Sequence, residues 1–335
     1  MSHLYAVQVV REDGTEVTQV PIQVDWEPAR EFLRLAALGR GVPAESAFLL
    51  DCGFRPIWHP ERGQPFVGGV ELVAGSEDIR ETVSLDYFGE AARSVTKRLV
   101  AEEKLTKGDL VRCLPVAFAE PVNHAPGLTR RGRPLPPRIP LRDGSLTECA
   151  GNETLCDTSD AELPVFVPRT VLDQATEQTE REPGRETGGI LIGHLRRDRE
   201  SSRLFVEVTA QIPARYTEAT SSKLTFTAGT WSDVQGALTL RAQDEIMVGW
   251  WHSHPVREWC KDCAPEKRAQ CALAQGFLSE DDRLLHRTVF PRAYSVALVV
   301  NDLESGPTFS LFAWSRGIIA AREFPSRTEA AHAHQ

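Results

Sequence analysis

Two histidines that end an apolar strand pattern could bind one metal ion. His252 and His254 follow the segment EIMVGWW, whose composition and period predict a β-strand. Residues i and i+2 of an extended chain point to the same side, so both imidazoles would face one site. A zinc hydrolase needs a third protein ligand and an open position for water. Asp282, in the segment SEDD, is the best candidate for that carboxylate.

A hydrolytic zinc site also needs a group that accepts a proton from water and passes it to the leaving amine. Glu186, in GRETGGILIG, is the candidate for this general base. It lies beside a glycine pair where a sheet is predicted to begin, so its carboxylate could be held rigidly near a metal. An isolated pair of histidines is a weak signal, because exposed or structural histidines outnumber ligands. The combination of the two histidines with Asp282 and Glu186 is more specific.

The three segments together resemble the JAMM metalloproteases, which are MPN-domain isopeptidases that remove ubiquitin or ubiquitin-like proteins. The family pattern is a glutamate, then H-[ST]-H-P, then S-x-x-D. It is matched here by Glu186, by His252-Ser253-His254-Pro255 and by Ser279-Glu280-Asp281-Asp282. The stretches ETGGILIG and GWWHSHP are similar to those of bacterial members, and the resemblance covers about residues 163 to 320.

The resemblance implies a role for each matched residue. His252, His254 and Asp282 would bind a catalytic zinc ion, and Glu186 would act as general base and acid. Ser279 would donate a hydrogen bond to the oxyanion, whose negative charge a fixed hydroxyl stabilises. The implied fold is a three-layer, cytidine-deaminase-like MPN/JAB domain of mixed α/β class.

The resemblance also implies a substrate and a setting. We expect hydrolysis of the bond after the C-terminal tail of a ubiquitin-like protein, in deconjugation or precursor maturation within a bacterial conjugation pathway, antiphage systems included. The partners would be that protein, its conjugates and E1-like or E2-like enzymes. Two alternatives stay open: a non-catalytic MPN scaffold that binds partners, and a peptidase that acts on a sulfur-carrier protein.

An insertion separates the second histidine from the aspartate. Here 27 residues lie between His254 and Asp282, far more than the family usually leaves. The excess falls in residues 256–276, so Asp281 is kept as an alternative ligand to Asp282.

Three cysteines in this insertion are candidates for a second, structural zinc site. Cys260, Cys263 and Cys271 are separated by two and then seven residues, a spacing that suits zinc if a fourth ligand comes from elsewhere. Cys149, Cys156 or a histidine are the candidates for that ligand. The alternative is that the three cysteines are unpaired residues of the insertion.

The elements that position these residues are predicted in a C-terminal domain over 163–335. A strand that enters a helix is expected over 165–179, and further helices over 231–242 and 279–287. Strands are expected over 189–193, 204–212, 246–251, 295–300 and 309–314. The proline-rich segment 121–162 is predicted to be a linker.

Residues 1–120 are predicted to form a separate α+β domain of unknown role, with partner or substrate recruitment as one option. A hairpin around Asp13-Gly14 precedes a helix, and strands are expected over 47–50, 67–73 and 110–118, with a second helix over 86–104. The hairpin, helix and following strands give the ββαββ order of ubiquitin-like modules.

Composition limits the function classes. The 335 residues carry 38 basic and 47 acidic side chains, a net charge of −9, which gives no overall attraction to nucleic acid or anionic lipid. No apolar run is long enough for a membrane span, and the N-terminus lacks a signal-peptide layout. The seven cysteines are odd in number and cluster like metal ligands. We therefore expect a cytoplasmic protein that binds neither nucleic acid nor membranes.

Overall fold

The chain forms two compact units in the computed structural model, which describes residues 3–74, 79–120, 140–149, 154–156, 163–215, 217–219, 224–264, 267 and 271–322. The first unit takes its described residues from 3–37, 45–120 and 316–318, and the second from 38–44, 140–315 and 319–322. Within the described chain, no helix combines the length and the apolar character that crossing a membrane requires.

The first unit is a six-stranded sheet with helices. Its strands run in the order β2-β1-β6-β4-β3, with β5 beside β4. The elements are β1 (His3–Arg11), β2 (Glu16–Ile22), α1 (Glu27–Gly39), α2 (Ala44–Phe48), β3 (Cys52–His59), β4 (Gly63–Ala74), β5 (Ile79–Val83), a 3-10 helix (Leu85–Phe88), α3 (Gly89–Ala101) and β6 (Val111–Ala119).

The structure confirms the predicted hairpin and first helix of this unit and corrects one strand. Gly14 has a φ of 88°, which allows the tight β1–β2 turn. The strand expected over 47–50 is wrong: these residues belong mainly to helix α2, because a short run of helix formers buries Ala47 and Phe48. The ubiquitin-like resemblance stays a prediction, since α2, β5 and α3 lie outside the ββαββ order.

The second unit contains the predicted site and is built on a nine-stranded sheet. The strand order is β17-β16-β15-β14-β10-β11-β9-β8, and β7 pairs with β10. The elements are β7 (Leu141–Gly144), α4 (Leu146–Cys149), β8 (Thr154–Cys156), β9 (Val165–Pro168), α5 (Arg169–Arg181), β10 (Gly188–Asp198), β11 (Leu204–Pro213), β12 (Thr217–Ala219), β13 (Leu224–Phe226), α6 (Ala228–Arg241), β14 (Ile246–His254), α7 (Val256–Trp259), a 3-10 helix (Ala272–Ala274), α8 (Glu280–Val289), β15 (Val296–Asn301), β16 (Thr308–Ser315) and β17 (Ile318–Arg322).

One face of this sheet packs against helices α6 and α8. Ile190 and Trp250, from the neighbouring strands β10 and β14, form a buried cluster with Val234 of α6. Leu285 and Val289 of α8 pack against the same cluster. This apolar layer is the core on which the two helices rest, and burying it is the main source of the domain's stability.

The opposite face carries helix α5. Trp251 points away from the α6 and α8 side, and its Nε1 donates to Gln211 Oε1 of β11 at 3.2 Å. Gln211 Nε2 in turn lies 3.5 Å from Gln174 Oε1 of α5. Helices therefore cover both faces of the sheet, and the expected three-layer α/β architecture is present.

The predicted linker over 121–162 is wrong in its later part. Leu141–Gly144 forms strand β7, which pairs in parallel with residues 195–198 of β10, and Thr154–Cys156 forms β8 beside β9. The prolines that suggested a linker lie before these strands. The earlier residues 121–139 lie outside the described part of the chain.

Candidate metal centre

The register of β10 against β14 puts Glu186 on the same face as the two histidines. Gly188 lies opposite His252, so the next pair of facing residues is Thr187 with Ser253. The Thr187 N–H donates to Ser253 Oγ at 2.8 Å, and the Ser253 N–H donates to Thr187 O at 2.8 Å. Since side chains alternate between faces along a strand, the residue before Thr187 shares the face of His252 and His254.

A glycine is required opposite the first histidine. A Cβ atom at Gly188 would lie 2.4 Å from Leu224 Cδ2 and 2.5 Å from the Trp251 carbonyl oxygen. The contact with the carbonyl oxygen is too short for any larger residue without a shift of the backbone. The glycine pair that follows Glu186 in the sequence therefore allows the two strands to approach closely beside the candidate base.

The two imidazoles are buried and face each other. His252 is fully buried and His254 is 1% exposed, and their Nε2 atoms lie 3.0 Å apart. Burial lowers the pKa of both side chains, that of His254 to about 3, with the neighbouring His252 adding to the effect. Both rings are consequently neutral at physiological pH, which is the state that binds a metal ion.

Asp282 completes a three-ligand set. Its Oδ2 lies 3.6 Å from His252 Nε2, and the ligand atoms of His252, His254 and Asp282 all lie within 4.8 Å of one another. Ligands of a tetrahedral zinc ion at about 2.0–2.1 Å stand roughly 3.3 Å apart, so these distances fit such an ion. Asp281, the alternative ligand, is exposed and is not part of this group.

The N-terminus of α8 holds Asp282 in place. Ser279 caps the helix: its Oγ accepts the Asp282 N–H at 3.1 Å, while Asp282 Oδ2 accepts the Ser279 N–H at 2.8 Å. This reciprocal pair is a capping box, which satisfies two backbone donors that a helix start otherwise leaves unpaired. The same bonds position the carboxylate toward the histidines and leave the Ser279 hydroxyl hydrogen free to donate.

Glu186 is a buried carboxyl group beside the ligand set. It is 6% exposed, and burial followed by the Asp282 carboxylate raises the pKa of Glu186 to about 8. A carboxyl group shifted this far is typical of sites that transfer protons. A bound dication would counteract both causes and favour the ionised form.

A cleft of about 490 Å³ leads to Glu186 from the surface. Its lining is rich in arginine and continues onto the glycine that faces His252. The lining residues are Gln178, Arg181, Glu182, Arg185, Glu186, Thr187, Gly188, Ala214 and Arg215. The base therefore has a route to solvent through a basic opening.

Aromatic rings surround the two histidines. Trp250 stacks on His252 with ring centroids 4.7 Å apart and an interplanar angle of 14°. His254 packs against Trp259 of α7 at 5.0 Å and against Phe277 at 4.6 Å. These rings hold the imidazole planes, and Trp250 is fully buried in the core.

Two further residues support the site and were not found by the sequence analysis. His286 lies one helical turn after Asp282 on α8, and its Nδ1 accepts the Trp250 Nε1–H at 3.1 Å. Asn301 of β15 lies opposite His254, and its side chain contacts that imidazole. The four-residue spacing from Asp282 could have indicated His286, whereas Asn301 has no local sequence signal.

The cysteines proposed as a fourth ligand lie elsewhere in the second unit. Cys149 Sγ is 3.8 Å from Glu207 Oε1 on β11, in a region that also contains Arg196, near the end of β10 far from Gly188. Cys149 is therefore wrong as a ligand for the insertion. The backbone of Cys156 lies on β8, four strands away from β14, or about 19 Å at the usual strand spacing, and its candidacy stays a prediction.

Comparisons with known proteins agree with this geometry. Residues 168–258 match a family described as prokaryotic homologs of the JAB domain, a span that includes Glu186, His252 and His254. No curated protein matches the chain. A solution structure of a protein from Salinibacter ruber (strain DSM 13855) is 14% identical over 47% of this chain and 87% of that chain, with a TM-score of 0.27, which carries no weight for the fold. The second unit contains a JAB-type domain.

Proposed function

We propose that the second unit is a zinc-dependent peptidase. The observation that carries this proposal is the juxtaposition of a buried carboxyl group, Glu186, with the buried His252 and His254 and the half-buried Asp282. Two neutral imidazoles and one carboxylate suit zinc and leave a fourth position for water, as in hydrolases whose zinc is held by two histidines and one carboxylate. When bound, zinc supplies Lewis acidity and lowers the pKa of water toward neutrality.

The protein's own groups move the proton and stabilise charge. Glu186 accepts the proton of the attacking water and then donates it to the leaving amine, so one carboxyl group serves as base and acid in turn. The Ser279 hydroxyl, whose oxygen already accepts the Asp282 N–H, donates its hydrogen to the oxyanion that forms on the substrate carbonyl. The rings of Trp250, which is buried, and Trp259, which is half-buried, keep the ligand imidazoles fixed during these steps.

The substrate that we propose is the bond after the C-terminal tail of a ubiquitin-like protein. Catalysis would release that protein from an isopeptide conjugate or from a precursor, in a bacterial conjugation pathway in which E1-like and E2-like enzymes act as partners. This specificity rests on the resemblance to JAMM isopeptidases. A small-residue tail such as Gly-Gly fits the narrow approach that the family uses.

A matched set of variants tests the proposal. Bacterial ubiquitin-like proteins with Gly-Gly tails, each followed by a reporter peptide, serve as substrates. We expect wild type to cleave after the tail and Glu186→Gln to retain zinc while losing activity by several orders of magnitude, because the water then has no proton acceptor. His252→Ala is the control for the metal and should lose both zinc and activity.

The outcomes separate catalysis from a scaffold role. Undiminished cleavage by Glu186→Gln would remove this residue from the mechanism. Absence of zinc from the wild-type centre, together with absence of cleavage, would favour the non-catalytic scaffold instead.

A further inference from the structure

Residues 256–276 are anchored at both ends beside the metal centre. The Arg257 N–H donates to Asp302 O at 3.2 Å, and the Arg257 guanidinium pairs with the Asp302 carboxylate at 2.5 Å. At the other end Gly276 lies against β16, where a Cβ atom would come within 2.0 Å of Ser310 Oγ. The insertion is therefore fastened to the ends of β15 and β16, at the same edge as His254.

The three cysteines of the insertion converge. Cys260 is 3% exposed, and its Sγ lies 3.7 Å from Cys271 Sγ. The Cys263 N–H donates to Cys260 O at 2.9 Å, so the chain turns between these two residues. Burial, followed by the adjacent thiols of Cys271 and Cys263, raises the pKa of Cys260 to about 11. The Cys260 thiol thus interacts with both other cysteines, in a segment of few apolar residues.

The sulfur spacing matches a thiolate metal site better than a disulfide. A disulfide needs sulfur atoms about 2.05 Å apart. Two thiolates at about 2.3 Å from one tetrahedral zinc ion stand roughly 3.8 Å apart, close to the 3.7 Å between Cys260 and Cys271. A third cysteine, which a single disulfide would leave unused, is accounted for as another ligand.

We propose that Cys260, Cys263 and Cys271 bind a second zinc ion, whose role is structural. Thiolates select soft and borderline cations such as zinc over calcium or magnesium. Cys263 is exposed, so the site opens to solvent, and a fourth ligand would complete the tetrahedron that structural zinc takes. The existence of this site does not depend on the peptidase activity proposed above.

The second zinc ion positions the wall of the catalytic site. Trp259 directly precedes Cys260, and its ring packs on His254 at 5.0 Å and on Phe277 at 6.2 Å. Because structural zinc contributes its binding energy to folding, the ion would fix the segment that presents this ring. Loss of the ion would loosen Trp259 while leaving the His252, His254 and Asp282 set intact.

Metal analysis of the full chain tests the proposal without an activity assay. Protein purified under reducing conditions should contain two zinc ions per chain by mass spectrometry of the metal. The Cys263→Ser variant removes an exposed ligand and should lose one of them while staying folded. The Cys149→Ser variant, which removes a cysteine far from the insertion, is the matched control and should keep both.

Cobalt substitution assigns the ion to the thiolates. A variant that carries His252→Ala and His254→Ala should retain the intense sulfur-to-cobalt charge-transfer absorption, whereas Cys263→Ser should lose it. The proposal is overturned if wild type holds a single zinc ion that the histidine variant loses. The proposal is also overturned if peptide mass spectrometry finds a Cys260–Cys271 disulfide in protein that was purified under reducing conditions.

Discussion

At the scale of single residues, the orientation of His254 depends on one side chain across the sheet. Asn301 Nδ2 lies 3.3 Å from Thr308 Oγ1 and 3.5 Å from Ser310 Oγ, which leaves its Oδ1 to face His254. His254 Nδ1 and Asn301 Oδ1 are both buried and have no hydrogen-bond partner among the described residues, so each is available to the other. An acceptor at Nδ1 fixes the tautomer in which Nε2 is free to bind metal.

Removing that acceptor should weaken zinc binding. We expect Asn301→Ala to lower the affinity of the catalytic centre by roughly 10- to 100-fold, the usual cost of losing a hydrogen-bond partner of a ligand histidine. Competition with a chelator measures the effect, and Asn301→Asp, which keeps an oxygen acceptor, should be much less affected. Equal affinities for Asn301→Ala and wild type would contradict the role of Asn301.

Ser279 combines two functions in one hydroxyl group. Ser279→Ala removes the helix cap, at a cost of about 1 kcal/mol, and also removes the hydrogen-bond donor to the oxyanion. We expect weaker zinc retention, because the Asp282 N–H loses its acceptor at the first turn of α8, and a lower kcat. Ser279→Thr keeps the hydroxyl and should restore both. If Ser279→Ala kept the wild-type kcat on the reporter substrates, the proposed donor would be wrong.

At the scale of elements, helix α8 is joined to strand β14 at two points one turn apart. Asp282 lies near His252, and His286 accepts a hydrogen bond from Trp250. His286 is fully buried, and this burial lowers its pKa to about 3. The helix therefore depends on an imidazole that must stay neutral.

This dependence gives the domain a pH-sensitive stability. An unfolded histidine has a pKa near 6.5, so the unfolded state takes up a proton first as the pH falls. The stability from neutral His286 is complete above about pH 6.5 and is lost toward pH 3, at about 1.4 kcal/mol per pH unit. His286→Asn keeps an acceptor for Trp250 but cannot titrate in this range.

Denaturant unfolding of the metal-free protein tests this stability. We expect the free energy of unfolding of wild type to fall more steeply with acidification between about pH 6 and pH 4 than that of His286→Asn. Parallel slopes for the two proteins would show that His286 does not titrate on unfolding.

The sequence predicted the elements with strong local patterns. The apolar segment before His252 became β14, and the helix predicted over 279–287 begins with the Ser279–Asp282 capping box, because short-range forces decide both. The strand at 141–144 was missed, because its pairing with β10 is a long-range contact that four residues of no clear periodicity do not reveal. Asn301 was missed for the same reason.

At the scale of the whole molecule, the net charge and the local charge differ in sign. The chain carries a net charge of −9, yet Arg181, Arg185 and Arg215 line the cleft that leads to Glu186. Field lines concentrate in such an opening, so a cleft of opposite sign attracts a complementary group more than the net charge suggests. We expect this cleft, whose lining also includes Glu182, to favour a substrate tail that carries carboxylates.

Charge reversal in the cleft should therefore act on substrate capture. We expect Arg215→Glu to raise KM several-fold for an acidic-tailed reporter at low salt, with little change in kcat, and the difference should shrink as salt screens the charges. Arg55→Glu, the same change on an exposed strand residue of the first unit, is the control. A KM that changes neither with the Arg215→Glu substitution nor with the salt concentration would exclude electrostatic capture by this cleft.

The hydrogen bonds between Thr187 and Ser253 indicate that metal binding and folding are coupled differently at the two proposed metal sites. These bonds join β14 to the residue before β10 and need no ion, so the proposed catalytic site is already formed in the metal-free protein. Zinc should enter it in one step, at a rate proportional to free zinc and with no lag for folding. In the cysteine insertion the ion would instead organise the chain, as in small zinc domains. Removal of the metal should leave the His252, His254 and Asp282 site ordered and should increase the flexibility of the insertion.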